Sequence, residues 1–203
     1  FGMEDMVLID MIAKLKGPIT IFTLDTGRLH EETYEIMERV RSHYGLEIKT
    51  YFPGSEQVEK LVRGKGFFSF KESIENRKEC CAIRKIEPLN RALAELNAWV
   101  TGLRRDQAVT RTETPKVLED ADHPPLMKIN PLADWSQEQV ESYIEKHKVP
   151  VNALHKKNYP SIGCAPCTRP VEQGEDIRAG RWWWENPEHK ECGLHPRGTN
   201  PTT

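Results

Sequence analysis

Short apolar runs alternate with helix-like segments through the first 150 residues, and this alternation constrains the fold more than any other feature of the sequence. The run ITIFTL, residues 19–24, is almost continuously apolar or β-branched, as expected of a strand buried on both faces. Residues 3–16 carry acidic side chains in the first turn and lysines in the last, which is typical of a helix. Because strands that alternate with helices form βαβ units, we expect an α/β fold with a doubly wound, mostly parallel sheet.

The same patterns assign elements to the chain as far as residue 147. We predict helices at 3–16, 30–43, 56–63, 83–96 and 136–147, and strands at 19–24, 47–52, 98–104 and 126–132. Ser136 and Gln139 form a capping-box pattern at the start of the last helix. Ligands of parallel sheets bind beyond the carboxyl ends of the strands, where LDTG (24–27) and TGLR (101–104) lie.

Composition argues against several broad classes of function. A formal net charge of −2 provides no global basic field, so we expect no nucleic-acid partner, and any anion site must use local arginines. No apolar run approaches the roughly 18 residues that span a bilayer, so we expect no membrane association. No signal peptide is visible, and five cysteines, an odd number, favour metal or catalytic use in a reducing compartment. We therefore expect a cytoplasmic protein. Because the sequence begins inside a loop-to-helix junction, a transit peptide before Phe1 stays an alternative.

Four of the five cysteines form two close pairs. Cys80 and Cys81 are adjacent, and Cys164 and Cys167 form a C-x-x-C pair that fits a redox dithiol, half a zinc site or half an iron–sulfur site. Zinc sites usually take spaced pairs on both sides, so adjacent cysteines fit zinc poorly. A four-iron cluster spreads its irons widely enough for neighbouring cysteines to bind different ones. The residues alone favour the cluster and leave zinc and redox thiols open.

The fifth cysteine, Cys192, stands apart in the segment HKECGLH. His189, Lys190 and His195 surround it with potential positive charge, which favours the thiolate. It is therefore a candidate nucleophile, the alternative being an ordinary thiol. It has no adjacent resolving cysteine, so it does not form a self-contained oxidoreductase motif.

Several cations lie close in sequence to this candidate chemistry. They are Arg84, Lys85, Arg111, Arg178 and Arg181. Arginine suits bidentate binding of phosphate or sulfate, although most such residues in proteins form solvated surface pairs. The neighbouring run Trp182–Trp184 favours packing over base stacking.

Together these segments resemble the assimilatory sulfonucleotide reductases, and among them the adenosine 5′-phosphosulfate (APS) reductases that carry an iron–sulfur cluster. FGMEDMVL resembles the end of the family's nucleotide-binding loop, LDTGRL its second signature, and KECCAIRKIEPL its paired-cysteine segment. TGLRRDQ, IGCAPCTRPV, GRWWWE and KECGLH resemble further family motifs in the same order. The combination of the two cysteine pairs separates these enzymes from cluster-free relatives that use the 3′-phosphorylated substrate (PAPS).

The resemblance implies an adenine nucleotide alpha hydrolase-like fold, related to the ATP pyrophosphatases, and a full set of site residues. It implies that Cys80, Cys81, Cys164 and Cys167 ligate a [4Fe–4S] cluster that does not cycle redox state. It implies that Cys192 attacks the sulfur of APS, expels AMP and becomes an S-sulfocysteine, from which a thioredoxin dithiol releases sulfite. The implied substrate-binding residues are Lys85, Arg111, Arg178 and Arg181 at the phosphosulfate, backbone groups of Leu24 and Gly102 at the adenine, and further Gly2, Asp25, Thr26, Gly27 and His195.

The resemblance also divides the chain into two parts of one domain. Residues 1–150 are the expected nucleotide-binding part, whose first strand and loop serine would precede Phe1, and residues 151–203 are the expected cluster-binding segment and mobile catalytic tail. No thioredoxin-like domain follows Cys192 in this sequence, so we expect the electron donor to be a separate protein. The alternative functions are a PAPS reductase and a zinc-binding, ATP-pyrophosphatase-type sulfur-handling enzyme. The sequence does not determine whether the protein forms a homo-oligomer.

Overall fold

Helices alternate with short strands in this computed structural model, which describes residues 1–107 and 111–186. The helices are α1 (Met3–Leu15), α2 (Glu31–Tyr44), α3 (Ser55–Lys65), α4 (Ile74–Cys81), α5 (Glu87–Leu93) and α6 (Gln137–His147). The strands are β1 (Ile21–Leu24), β2 (Ile48–Tyr51), β3 (Ala98–Val100), β4 (Val117–Glu119) and β5 (Met127–Ile129). Short 3-10 turns cover Ser69–Lys71, Arg105–Gln107, Ala153–Lys157 and Ala165–Cys167. The predicted alternation is confirmed, with strands shorter than the sequence suggested.

The pairing of the strands is mostly parallel, as predicted. β1 pairs with β2 in parallel, and β3 pairs with β5 in parallel. The sequence missed β4, which pairs with β5 antiparallel and adds an edge strand. Within the described residues the strands form a two-stranded and a three-stranded sheet, which share one apolar cluster: Phe22 and Leu24 pack against Leu89, Leu93, Trp99 and Leu126.

The prediction of one uninterrupted helix over 83–96 was wrong. A π-helical turn, Ala82–Ile86, separates α4 from α5. A π turn places more residues in one turn than an α-helix does, and such turns occur frequently at functional sites. The turn begins directly after Cys81 and contains Lys85, so it re-aims the side chains next to the cysteine pair.

Helix α1 is central to the packing of the described residues. Met6 and Ile9 pack with residues of β1 and α2, whereas Val7 and Leu8 pack with Leu132 and with Val140 of α6. A helix that is apolar on several sides must be buried, and each such side chain contributes about 1.5–3 kcal/mol. This burial holds the N-terminus of α1 in place beside the end of β3.

The start of α6 agrees with the sequence in detail. Ser136 accepts a hydrogen bond from the Gln139 amide, and the Gln139 side chain accepts one from the Ser136 amide. The predicted capping box is therefore confirmed. None of the described helices is both long and apolar enough to cross a membrane.

Candidate active site

A cleft of about 900 Å³ opens between the N-terminus of α1 and the carboxyl end of β3. Its lining includes six of the predicted substrate-binding residues: Gly2, Lys85, Gly102, Arg111, Arg178 and Arg181. Strand-end placement was predicted from the parallel pattern, and the cleft lies there because residues 102–104 follow β3 directly.

Close packing forms the floor of this cleft. A Cβ atom on Gly102 would lie 2.8 Å from the Cβ of Glu4, so only glycine allows the chain after β3 to approach α1 this closely. The fully buried Arg104 donates from its Nε to a Glu4 carboxylate oxygen over 2.9 Å and from Nη2 to the Gln137 side chain over 2.5 Å. These bonds tie β3, α1 and α6 together at the site.

Arg181 is held in the wall of the cleft by backbone and side-chain contacts. Its Nη1 lies 3.3 Å from the Ser161 hydroxyl and 3.2 Å from the Ile162 carbonyl oxygen. Its guanidinium also stacks on the indole of Trp182, 4.7 Å from the ring centroid. The arginine head is therefore oriented before any ligand arrives, which lowers the entropic cost of binding an anion.

The four cysteines of the two pairs line one small cavity beside the cleft. Cys80, Cys81 and Cys164 are buried, and Cys167 is half-buried. Cys80 and Cys81 are the last two residues of α4, and both line the cavity. The C-x-x-C pair is brought there by a 3-10 turn whose Ala165 amide donates to the Arg28 carbonyl over 2.8 Å.

Cations surround this cavity and change the acidity of its thiols. Burial raises the pKa of Cys80, although Arg28 and Arg84 oppose the increase. Burial, together with the neighbouring Cys164, raises the pKa of Cys167 to about 12. For Cys164 the burial penalty is outweighed by Lys85, a hydrogen bond with Thr26, Arg181 and Arg28, so its pKa lies below its ordinary value. Thiols must lose their protons to bind a metal, and the cationic surroundings favour that loss.

Several buried nitrogen donors around the cavity make no hydrogen bond within the described part of the chain. Two of them line the cavity, the Nε of Arg84 and the indole Nε1 of Trp182, and the third, the Nε of Arg181, lies in the wall of the adjoining cleft. Orphan buried donors are costly and normally mark a missing acceptor. Four thiols, excess positive charge and unused N–H groups fit an anionic thiolate-bound iron–sulfur cluster. No group of three His, Cys, Asp or Glu side chains that could hold a single metal ion occurs among the described residues.

Other predicted site residues lie elsewhere or are not described. Leu24, Asp25, Thr26 and Gly27 are absent from the lining of the cleft in the described residues, and their substrate-binding role stays a prediction. Asp25 accepts from the Gly27 amide and the Tyr34 hydroxyl, and Thr26 lies 3.2 Å from the sulfur of Cys164. Cys192 and His195 lie outside the described residues, as does the segment that carries them.

Two arginines that were not predicted as site residues, Arg28 and Arg77, also line the cysteine cavity. Arg28 directly follows the LDTG segment, and Arg77 lies one helical turn before Cys81. Their closeness to these two motifs in the sequence could therefore have identified both arginines as site residues. The packing prediction for the tryptophans holds for Trp182, which is buried, and for Trp184, which packs near Phe70, whereas Trp183 is exposed.

The sequence of this chain is similar to a known protein family and to several of its members. Residues 1–170 match the family described as the phosphoadenosine phosphosulfate reductase domain. The adenosine 5′-phosphosulfate reductase of Allochromatium vinosum is 56% identical over 98% of this chain and 78% of its own length. The adenosine 5′-phosphosulfate reductase of Pseudomonas aeruginosa (strain LESB58) is 49% identical over 96% of this chain and 74% of its own length.

Solved structures agree with the fold. A phosphoadenylyl-sulfate (PAPS) reductase from Candida auris, in a phosphate complex, superposes with a TM-score of 0.70 at 32% identity over 84% of this chain and 80% of its own. The FMN adenylyltransferase of Candida glabrata superposes with a TM-score of 0.55 at 16% identity over 97% of this chain and 67% of its own, a likeness of fold alone. The predicted adenine nucleotide alpha hydrolase-like fold is confirmed.

Proposed function

This chain belongs to the phosphoadenosine phosphosulfate reductase domain family, and we propose that it reduces APS to sulfite and AMP in assimilatory sulfate reduction. One observation carries the proposal: Lys85 lines both the anion cleft and the cavity of the four cysteines. A cationic site for a phosphosulfate thus adjoins a four-thiol site. Relatives that are 45–56% identical over nearly the whole chain are named APS reductases, which supports APS over PAPS as substrate.

We assign Cys80, Cys81, Cys164 and Cys167 as the ligands of a [4Fe–4S] cluster. The shared cavity and the orphan donors of Arg84, Arg181 and Trp182 support this assignment. When bound, the cluster supplies a fixed charge and a covalent link between α4 and the C-x-x-C segment, without cycling its redox state. Lys85 then lies between this charge and the substrate cleft.

The chemistry rests on Cys192 and on the cations of the cleft. The Cys192 thiolate attacks the sulfur of APS, a bond forms between the two sulfurs, and the bond from that sulfur to the phosphate oxygen breaks. The electron pair of that bond leaves on AMP. Lys85, Arg111, Arg178 and Arg181 stabilise the negative charge that grows on the leaving phosphate.

A second protein completes the cycle. A thiolate of a thioredoxin-type dithiol attacks the Cys192 sulfur, and sulfite leaves with the bonding electron pair. The second thiol of the donor then attacks the mixed disulfide, which frees Cys192 and oxidises the donor. Because Cys192 must meet APS and a bulky donor in turn, the segment after about Trp184, from residue 186 onward, is proposed to move between the two positions. The reducing donor and the free thiols are in keeping with a cytoplasmic setting.

Mass spectrometry after mixing the protein with APS and no reductant tests this proposal. We expect one SO₃ added to Cys192 and one AMP released per chain, with no adduct in a Cys192→Ser variant that keeps its iron and sulfide. Turnover with each nucleotide tests the substrate: a strong preference for PAPS contradicts the assignment. Zinc at one per chain without iron or acid-labile sulfide contradicts the cluster.

A further inference from the structure

A buried ion pair joins the cysteine-bearing helix to the last described residues of the chain. Arg77 donates from Nε and Nη2 to the two carboxylate oxygens of Glu185 over 3.0 and 2.8 Å, although the residues lie 108 positions apart. Their side chains are only 1% and 3% exposed. Two parallel charge-assisted bonds fix the orientation of both groups as well as the distance between them.

Arg77 also contacts residues from both cysteine pairs or their neighbours. It lies in α4 with Cys80 and Cys81, lines the cysteine cavity, and forms a side-chain hydrogen bond with Cys81. Its guanidinium stacks on Trp182, 4.8 Å from the ring centroid. The Trp182 amide in turn donates to the Cys167 carbonyl over 3.1 Å. Arg77 thus contacts Cys81 directly and the C-x-x-C segment through Trp182.

A contribution to the stability of the fold does not by itself explain why this buried ion pair is present. Replacing a buried ion pair by apolar side chains of similar volume is often neutral or stabilising, because two charges must lose their water. Apolar side chains in the same place would lack the two hydrogen bonds that fix the orientation of Glu185 relative to α4. Glu185 precedes Cys192 by seven residues, a stretch that spans roughly 25 Å at most when fully extended. The position of Glu185 therefore limits where Cys192 can reach.

We propose that Arg77 and Glu185 are positioning residues, which fix the start of the Cys192 segment to the cysteine cavity so that an intact cavity presents Cys192 to the substrate. This inference rests on the function proposed above. A cluster held by the four cysteines would tie α4 to the C-x-x-C segment, and Arg77 and Trp182 would then orient Glu185 without any electron transfer.

The variant Glu185→Gln tests this role. It keeps the shape of the side chain and removes the charge that Arg77 binds. The matched control is Glu79→Gln in α4, the helix that carries Arg77, where the Glu79 carboxylate pairs with Lys65 at the surface. We expect transfer of SO₃ to Cys192 in a single turnover to be at least tenfold slower in Glu185→Gln, with iron content and AMP affinity within twofold of the unchanged protein. Glu79→Gln should match the unchanged protein throughout.

A second variant separates positioning from folding. Glu185→Gln leaves Arg77 buried without its partner and can fail to fold for that reason. The double variant Arg77→Met/Glu185→Leu removes both charges, and we expect it to fold and hold its iron while transferring SO₃ at least tenfold slower. A transfer rate per iron-loaded chain equal to that of the unchanged protein overturns the proposal. So does a loss of iron that accounts for the whole loss of transfer, since the pair would then only support the cluster.

Alkylation of Cys192 by iodoacetamide separates this inference from the proposed function. If the unchanged protein forms no SO₃ adduct, the proposed function fails, yet the alkylation rate still reports the position of Cys192. We expect the rate to change at least threefold in Glu185→Gln and the double variant and to stay the same in Glu79→Gln. An unchanged rate in all three variants overturns the positioning role.

Discussion

Gly163 has no room for a side chain because the guanidinium of Arg181 lies against it. A Cβ atom at this position would lie 2.7 Å from the guanidinium carbon, well inside van der Waals contact. The atoms in the way are the flexible end of the Arg181 side chain, so that end can move away without displacing the backbone. It would then leave the position in the cleft wall from which we propose that it binds the substrate anion.

The variant Gly163→Ala should therefore weaken substrate binding more than it weakens the fold. A charge-assisted hydrogen bond contributes about 1.5–3 kcal/mol, so we expect the KM for APS to rise roughly tenfold. The midpoint of urea unfolding should change little. The control is Gly64→Ala in α3, where nothing lies within 4 Å of the added atom. An unchanged KM in folded Gly163→Ala protein would show that Arg181 does not bind the substrate.

Helix α6 stabilises the site at the scale of an element. Its capping box fixes the first turn, its Val140 packs under α1, and its Gln137 binds Arg104 at the floor of the cleft. The cap therefore acts on the site through the rigidity of the first turn, without touching the four cations that we propose bind the substrate.

Removing this cap should destabilise the protein by a predictable amount. Ser136→Ala deprives the Gln139 amide of its acceptor, and loss of such a cap costs about 1 kcal/mol of unfolding free energy. Urea denaturation measures the change. The control Ser42→Ala removes an exposed hydroxyl near the end of α2, where we expect a change within about 0.5 kcal/mol. Equal losses in both variants would mean that the capping bond contributes nothing.

At the scale of the whole molecule, one buried carboxylate joins three helices. Asp10 of α1 accepts hydrogen bonds from Tyr44 of α2, from Tyr143 of α6 and from Lys14. Burial raises the pKa of Asp10, but the bonds from Lys14, Tyr143 and Tyr44 together outweigh it, so the pKa lies below its ordinary value of 3.8. The network therefore stabilises the fold only while Asp10 is ionised.

This network should make the stability of the protein depend on pH in acid. The unfolded chain binds the Asp10 proton more readily, so the stabilisation is present above about pH 4 and is lost as pH falls through the lower folded pKa. We expect Asp10→Asn to lower the unfolding free energy by about 2 kcal/mol at pH 7 and by much less at pH 3. Glu38→Gln, which breaks an exposed pair with Arg41, should show no such difference between the two pH values. A constant effect of Asp10→Asn across this range would contradict the network.

The sequence by itself determined the elements whose cause is local. Helix α1, the capping box of Ser136 and the mostly parallel strands follow from periodicity and end signals within a few residues of each other. The two cysteine pairs and the cations Lys85, Arg111, Arg178 and Arg181 also stand in recognisable motifs, and the structure brings these cations to one cleft. Side-chain type and short spacing carry this information because the chemistry of a motif needs particular atoms a few residues apart.

Only the tertiary structure decided how distant segments meet. Three features leave no local pattern in the sequence: the π turn after Cys81, the antiparallel strand β4, and the buried pair of Arg77 with Glu185. Each depends on contacts between residues far apart along the chain, whose energies are comparable to the local preferences they override. Periodicity reports which face of a segment is buried, whereas the partner against which it is buried is chosen by packing across the whole molecule.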